Sequence, residues 1–235
     1  MKGTLYLVPN TLGNADTNLT IPKNVALLAL KLRHFIVEDV RTVRRYLKFL
    51  DKYIDIDSLK FYILNKHTPI EELSGFLQPL EDGFDMGIVS EAGCPAIADP
   101  GAEIVKIAHE AGIKVVPLSG PSSIYLALSA SGMNGQNFAF NGYLPVKKED
   151  RIKALKKFEN RSRIENQTQI FIETPYRNMA LLEDILKCCH PLTRLCIASN
   201  ITLPDESIVT QTIRMWKENL PELSKKQVIF ILQGK

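Results

Sequence analysis

The chain has 13 glycines among its 235 residues, yet none of them forms a Gly-x-Gly-x-x-Gly turn or a Gly-x-x-x-x-Gly-Lys-Ser/Thr loop. That absence speaks against a nicotinamide dinucleotide or a nucleoside triphosphate, whose phosphates are cradled by such turns. Cysteine is sparse: Cys94, Cys188, Cys189 and Cys196 show neither metal-ligand spacing nor the density of a disulfide scaffold, so reduced thiols are expected. His34, His67, His109 and His190 are scattered without a His-x-x-x-His pair. No metal is expected. No apolar run approaches the roughly 18 residues of a membrane span. A strand-like segment follows Met1 and Lys2 where a signal peptide would need an apolar run and a small-residue cleavage site, and a cytoplasmic protein is expected. The net charge of +3 is too small to imply nucleic-acid binding by itself.

What is present is an alternation of short apolar runs and helical patterns. Strands are expected over residues 4–8, 35–37, 59–64, 86–89 and 114–116, and helices over 22–32, 39–50 and 102–111. A helix also begins at Thr68-Pro69-Ile70-Glu71, which offers a hydroxyl cap, a proline at the first helical position and a glutamate three after the cap. Gly112 is placed to end the helix before it. This strand-helix alternation predicts a mostly parallel, doubly wound sheet. A second set follows: helices near 122–131, 148–159, 175–188 and 215–219, with strands at 138–140, 169–172, 195–198, 207–213 and 227–232. The last two runs are expected to face each other across their short helix, giving a mixed sheet. The pattern restarts near Pro117. It predicts two α/β domains, 1–117 and 118–235, with an active cleft between them.

Residues 90–101, Ser-Glu-Ala-Gly-Cys-Pro-Ala-Ile-Ala-Asp-Pro-Gly, join an apolar strand to a helix. Open α/β sheets bind ligands at such loops, outside the carboxyl ends of their strands. Small residues at Ser90, Ala92, Gly93 and Ala96 let a ligand approach the backbone, while Pro95 and Pro100 stiffen the loop; the other reading is an ordinary tight connection. Residues 9–14, 117–123, 141–145 and 173–177 form further strand-end loops of small, proline or polar residues. Residues 147–163 hold eight basic residues against three acidic ones. They form either a solvated helix face or an attraction site for a polyanion.

Several segments carry a resemblance, in order, through nearly the whole chain. They are Gly3-Thr-Leu-Tyr-Leu-Val with Leu12-Gly13-Asn14, Glu38-Asp39 with Arg41 and Arg44, and the loop 90–101. They continue with Glu110-Ala-Gly-Ile-Lys-Val-Val-Pro117, Gly120-Pro121-Ser122, Leu128-Ser-Ala-Ser-Gly132, Gly142-Tyr-Leu-Pro145 with Lys147-Lys148, and Pro175-Tyr176-Arg177. Together they resemble the tetrapyrrole methylase superfamily and, within it, the ribosomal RNA small subunit methyltransferase I group. The resemblance implies a homodimer of two-domain subunits binding S-adenosylmethionine in the interdomain cleft. It implies cofactor contacts from Pro9, Ser90, Glu91, Ala92, Gly93, Ser122, Ser123, Phe140, Ile172 and Glu173.

For that group the acceptor is the 2'-hydroxyl of a cytidine in 16S ribosomal RNA, which calls for alignment of the reactants and a base for the hydroxyl proton. Glu38, Asp39 and Glu91 are the candidate bases, with Arg41 positioning a phosphate or the acceptor. The alternative is that Glu38 and Asp39 cap a helix and pair with Arg41 or Arg44. Lys147, Lys148, Arg151, Lys153, Lys156 and Lys157 would attract the RNA backbone. The chain departs from the group's pattern at Asn10-Thr11, Glu91, Cys94, Tyr62-Ile63-Leu64-Asn65-Lys66 and Ala198-Ser199-Asn200-Ile201-Thr202-Leu203. Another RNA position or a tetrapyrrole-like acceptor, and a catalytically silent RNA-binding or cofactor-sensing protein, stay open as alternatives.

Overall fold

Short apolar strands that each hand over to an amphipathic helix cannot pair with their sequence neighbours by hairpins; the helix returns the chain and the next strand lies parallel. The computed structural model describes residues 1–13, 16–65 and 68–235; Asn14 and Lys66, which belong to two of the motif segments above, lie outside the described residues. The chain divides into two compact units, Met1–Ser122 and Ser123–Lys235.

The first unit runs β1 (Thr4–Val8), α1 (Thr17–Thr20), α2 (Lys23–Lys31), β2 (His34–Val37), α3 (Val40–Leu50), β3 (Lys60–Ile63), α4 (Ile70–Phe76), α5 (Gln78–Glu81), β4 (Met86–Val89), α6 (Gly101–Glu110) and β5 (Lys114–Pro117). The five strands among its described residues are parallel, in the order β3-β2-β4-β1-β5. The period-two alternation of each strand sorts its side chains to two faces. Val8, Phe35, Val37 and Val89 pack with Val25, Ala29, Val43 and Leu47 of α2 and α3. Leu5, Ile36, Met86 and Ile88 pack on the other face with Leu73, Leu80, Ile104 and Ala108 of α4 to α6. Each of these buried Val, Leu, Ile, Phe and Met side chains contributes about 1.5–3 kcal/mol before entropy is counted.

This order creates a switch point. The chain leaving β1 goes to the α2 face and the chain leaving β4 goes to the α6 face, although the two strands are neighbours. Their loops diverge and leave a crevice at the carboxyl ends, where open α/β sheets bind ligands. The main strands and helices of this unit follow the expected pattern; the short helices α1 and α5 were not expected, and one cap is placed differently. Thr68 does not cap α4: the N-cap is Pro69, and Thr68 Oγ1 instead accepts the Asn65 amide at 3.0 Å. The hydroxyl is used by the preceding turn, so none is left for the helix.

The second unit runs α7 (Ser123–Ser131), β6 (Phe138–Tyr143), α8 (Lys148–Glu165), β7 (Thr168–Ile172), α9 (Asn178–Cys188), β8 (Arg194–Ser199), β9 (Ser207–Thr212), α10 (Ile213–Glu218) and β10 (Val228–Gln233). Its sheet is mixed, in the order β6-β7-β10-β8-β9, with only β6 and β7 parallel. The expected pairing of the last two strands does not occur. β10 is inserted between β7 and β8, and β9 pairs with the far side of β8. The reason lies in composition: Val228–Leu232 is apolar at every position and wholly buried, whereas Ser207–Thr212 alternates and suits an edge.

Helix α8 extends to Glu165 and closes on Asn166 in the left-handed conformation, beyond its expected end near 159. Its buried stripe is Arg151, Leu155 and Ser162, so Arg151 is removed from the set of residues available to RNA. Arg151 Nε and Nη2 donate to Asp184 Oδ2 at 2.8 and 2.6 Å, and Nη1 donates to the Val146 carbonyl at 2.8 Å. A guanidinium so enclosed ties α8 to α9 and offers nothing to solvent. Asp184→Ala, which strands that buried cation, is expected to destabilise the second unit by about 3–5 kcal/mol in urea denaturation. The double change Arg151→Met with Asp184→Leu is expected to recover most of the loss.

Candidate active site

At the carboxyl end of the first sheet the loops after β2, β4, β1 and β5 stand side by side because those strands are adjacent in that order. Asn10, buried at 3 % exposure, ties two of them. Its Nδ2 donates to the carbonyls of Ser90 and Glu91, each at 3.1 Å, and its backbone N–H donates to the Gly93 carbonyl at 2.9 Å. The loop after β5 joins by close approach: a Cβ on Gly120 would stand 2.3 Å from Pro9 Cβ and Cγ, so only glycine fits against that proline. The Cys94 thiol, which burial holds protonated by raising its pKa, donates to the Pro121 carbonyl at 3.5 Å. Pro9, residues 90–93 and residues 120–122 are thus brought together.

Within this cluster the expected contacts differ in what they present. The Ser90 hydroxyl is buried and donates to the Ala92 or Gly93 carbonyl, at 3.1 and 3.2 Å, so its side chain shapes the loop from inside. Glu91 and Ala92 are exposed, and Pro9 and Gly93 are buried. The outer wall is therefore backbone, the Ala92 methyl and the Glu91 carboxylate, with no bulky apolar side chain among them, which suits a ligand that approaches the main chain closely.

The other expected cofactor residues belong to the second unit, apart from Ser122 at the end of the first. Ser123 begins α7, and Phe140 is half-buried in β6 just before its register shift. Ile172 ends β7. Glu173 follows it and is buried; its Oε1 accepts Arg177 Nε at 2.9 Å and the Thr174 amide at 2.7 Å. Its Oε2 is buried and has no partner among the described residues.

Of the candidate bases, the three carboxylates separate clearly. Asp39 is exposed and caps α3, its Oδ1 accepting the Thr42 amide at 2.6 Å; that bond holds its carboxyl below the usual range. An anion stabilised as a cap is a weak base, so Asp39 takes the helix-capping role. Glu91 is exposed on the loop after β4. Glu38 is half-buried, and its carboxyl is pushed up to about 7, chiefly by burial and then by the negative charges of Asp99 and Glu91. One side of Glu38 borders a narrow void lined also by Ile36, Leu64, Ser90 and Asp99. The other side opens to a groove of about 560 Å³ shared with Asp39, Arg41 and Arg44. Arg41 is exposed there, whereas Arg44 lies over the Phe61 ring.

A carboxyl poised near neutral pH beside an exposed guanidinium can take a proton from a hydroxyl whose neighbouring phosphate the arginine holds. Asn10 and Asp99 were not singled out by sequence reasoning. Their only signals are a polar residue closing an apolar strand and the Asp-Pro-Gly at a helix start. Five exposed lysines, Lys147, Lys148, Lys153, Lys156 and Lys157, remain at and along α8, outside the buried stripe.

The raised Glu38 carboxyl has a consequence for stability. The folded chain holds its proton to about pH 7 and the unfolded chain only to about 4.5, so stability falls as pH rises through that window. Glu38→Gln is therefore expected to melt higher than the unaltered chain at pH 8, with the gap closing below about pH 4.5. Calorimetric scans across pH 4–8 check this, and a gap independent of pH would contradict it.

The family described as Tetrapyrrole (Corrin/Porphyrin) Methylases matches residues 40–215. Among curated proteins, ribosomal RNA small subunit methyltransferase I of Escherichia coli O157:H7 is 32% identical over 240 residues, covering 99% of this chain and 78% of the relative. The protein of the same name from Pasteurella multocida is 31% identical, covering 100% and 80%. That from Neisseria meningitidis serogroup B is 34% identical, covering 90% and 68%. Among solved structures, the methyltransferase CobJ superposes with a TM-score of 0.66 at 15% identity, covering 99% of this chain and 94% of that one. Uroporphyrin-III-C-methyltransferase from Thermus thermophilus superposes with a TM-score of 0.55 at 17% identity, covering 99% and 93%. The last two establish a common fold. With the family matched over most of its length, the chain belongs to the tetrapyrrole (corrin/porphyrin) methylases and is an S-adenosylmethionine-dependent methyltransferase.

Proposed function

We propose that this methyltransferase acts on small-subunit ribosomal RNA and methylates the 2'-hydroxyl of a cytidine. The observation that carries the reading is identity of 31–34% over 90–100% of the chain to relatives named for that RNA, against 15–17% to the methyltransferase CobJ and the uroporphyrin-III-C-methyltransferase. Glu38 and Arg41 in an open groove support an acceptor that carries both a hydroxyl and a phosphate. In the proposed arrangement the backbone and small side chains of Pro9, Glu91, Ala92, Gly93 and Ser122 hold S-adenosylmethionine. Ser90 shapes that loop, and Ser123, Phe140, Ile172 and Glu173 are the second unit's contacts. The wall fits such a group because it offers main chain and small side chains where bulky ones would block approach.

When bound, S-adenosylmethionine supplies an electrophilic methyl carbon whose bond to sulfur breaks as the acceptor oxygen bonds to it, the electron pair leaving with sulfur. Glu38 takes the hydroxyl proton. Glu91 supplies negative charge near Glu38, and Arg41 holds a phosphate beside it. Lys147, Lys148, Lys153, Lys156 and Lys157 add sequence-independent attraction to the RNA backbone. A cytoplasmic homodimer belongs to the same reading, with no metal required by these residues.

The direct test is transfer of labelled methyl to small subunits isolated from cells lacking this gene, followed by mass spectrometry of the nucleosides. New 2'-O-methylcytidine is the expected product. Label in another nucleoside would move the acceptor, and tight cofactor binding with no transfer to any RNA would replace catalysis by sensing. Ala92→Trp, at an exposed loop position, is expected to weaken S-adenosylmethionine at least about tenfold in calorimetry. Reversing Lys153, Lys156 and Lys157 to glutamate is expected to weaken RNA binding across sequences. The slope of log affinity against log salt should flatten by about one for each phosphate that the variant no longer neutralises.

A further inference from the structure

Asp99 lies between two alanines of unusual backbone conformation and the start of α6. Ala96 has φ of 65° and Ala98 of 62°, both in the left-handed region that side chains other than glycine rarely adopt. Such strain persists only where something holds it, and Asp99 does so. Its Oδ1 accepts the Ala96 amide at 3.0 Å and the Gly101 amide at 2.7 Å, pinning the loop to the first turn of α6. The fit is tight: a Cβ on Gly101 would stand 2.7 Å from that same oxygen and 2.8 Å from Ile88 Cδ1.

The second oxygen is the informative one. Oδ2 is buried and accepts no hydrogen bond among the described residues. A loop staple needs one oxygen, and an unpartnered buried carboxylate oxygen is costly to keep. The void beside Asp99 is lined by Glu38. The sheet explains the meeting: Glu38 continues the alternation of Ile36, whose face carries α6, and β2 and β4 are paired with Val37 opposite Val89. Burial pushes the Asp99 carboxyl up, and the backbone amides it accepts offset part of that push, whereas Glu38 receives no such amide among the described residues, so of the two acids Asp99 is the better placed to carry the charge.

We propose that Asp99 is a positioning residue for methyl transfer, acting through Glu38, the group that takes the acceptor hydroxyl's proton. The proposal rests on the RNA-hydroxyl reading above and extends it to a residue that touches neither substrate. The charged groups facing Glu38 are Asp39 after β2, Arg41 and Arg44 of α3, and Glu91 and Asp99 of the loop after β4. Asp99 is the least exposed among them, and its negative charge adds to the burial of Glu38, the larger cause, in keeping Glu38 protonated until near-neutral pH. The proton that leaves the acceptor oxygen as its bond to carbon forms then passes to a carboxylate basic enough to hold it.

Asp99→Asn separates this role from the staple, because the amide oxygen still accepts the Ala96 and Gly101 amides while the charge is gone. Two measurements on the full chain are needed: the titration of the ¹³C-labelled Glu38 carboxyl, assigned with Glu38→Gln, and the pH profile of methyl transfer to small subunits. In the unaltered chain both should show a midpoint near 7. In Asp99→Asn both midpoints should fall together toward the ordinary carboxylate range, stopping short of it because burial, the larger cause, remains, so the variant keeps a larger share of its plateau rate at pH 6. A Glu38 carboxyl with an ordinary midpoint, or one unmoved in Asp99→Asn, overturns the proposal. So does a carboxyl that moves while the rate profile stays, since Asp99 would then be structural only. If the unaltered chain transfers no methyl to any RNA, the RNA reading fails instead, and the carboxyl titration alone decides whether Asp99 governs Glu38.

Discussion

The side-chain amide of Asn10 holds the crevice of the first unit in shape. β1 and β4 are neighbours whose chains leave toward opposite faces, so nothing in the strand ladder fixes the distance between their loops. Two hydrogen bonds from one buried Nδ2, to the Ser90 and Glu91 carbonyls, set that distance together with the Asn10 backbone N–H, which donates to the Gly93 carbonyl. A buried carbonyl left without a donor costs about 1–3 kcal/mol, so this bridge is specific as well as stabilising. The remaining features depend on it: Gly120 closes on Pro9, the Cys94 thiol reaches the Pro121 carbonyl, and Ala92 and Glu91 are left outward.

Charge in this protein is used in two distinct ways. Arg151 and Asp184 are buried with matched geometry and fasten α8 to α9, and Asp39 is an anion stabilised at a helix start. These groups satisfy each other and are chemically quiet. Glu38 and Asp99 are the opposite case: two acids share a partly buried place, and only one can be ionised at low cost. Groups in such conflict are where proton transfer is found.

Much of the fold was legible because it follows from period and composition. The strand-helix alternation pointed to the parallel sheet, and the largely apolar run 227–232 marked a strand. The misreadings have definite causes. Residues 207–213 and 227–232 are consecutive strands, which suggested pairing, but a strand apolar on every side chain needs neighbours on both edges and so entered the sheet's middle. Arg151 sits within a lysine-rich run and reads as one more surface cation. Only the packing of α8 shows that its position shares a stripe with Leu155 and Ser162.

The sequence by itself determined the two α/β units, the strand-end loops of small residues, and the family, since these reside in local pattern and ordered motifs. It offered three carboxylates as candidates for the proposed base but could not rank their proton affinities, because all three are acids beside turns. The tertiary structure ranked them. Proton affinity depends on burial and on distance to other charges, and only the pairing of β2 with β4 brings Glu38 to the loop that carries Asp99.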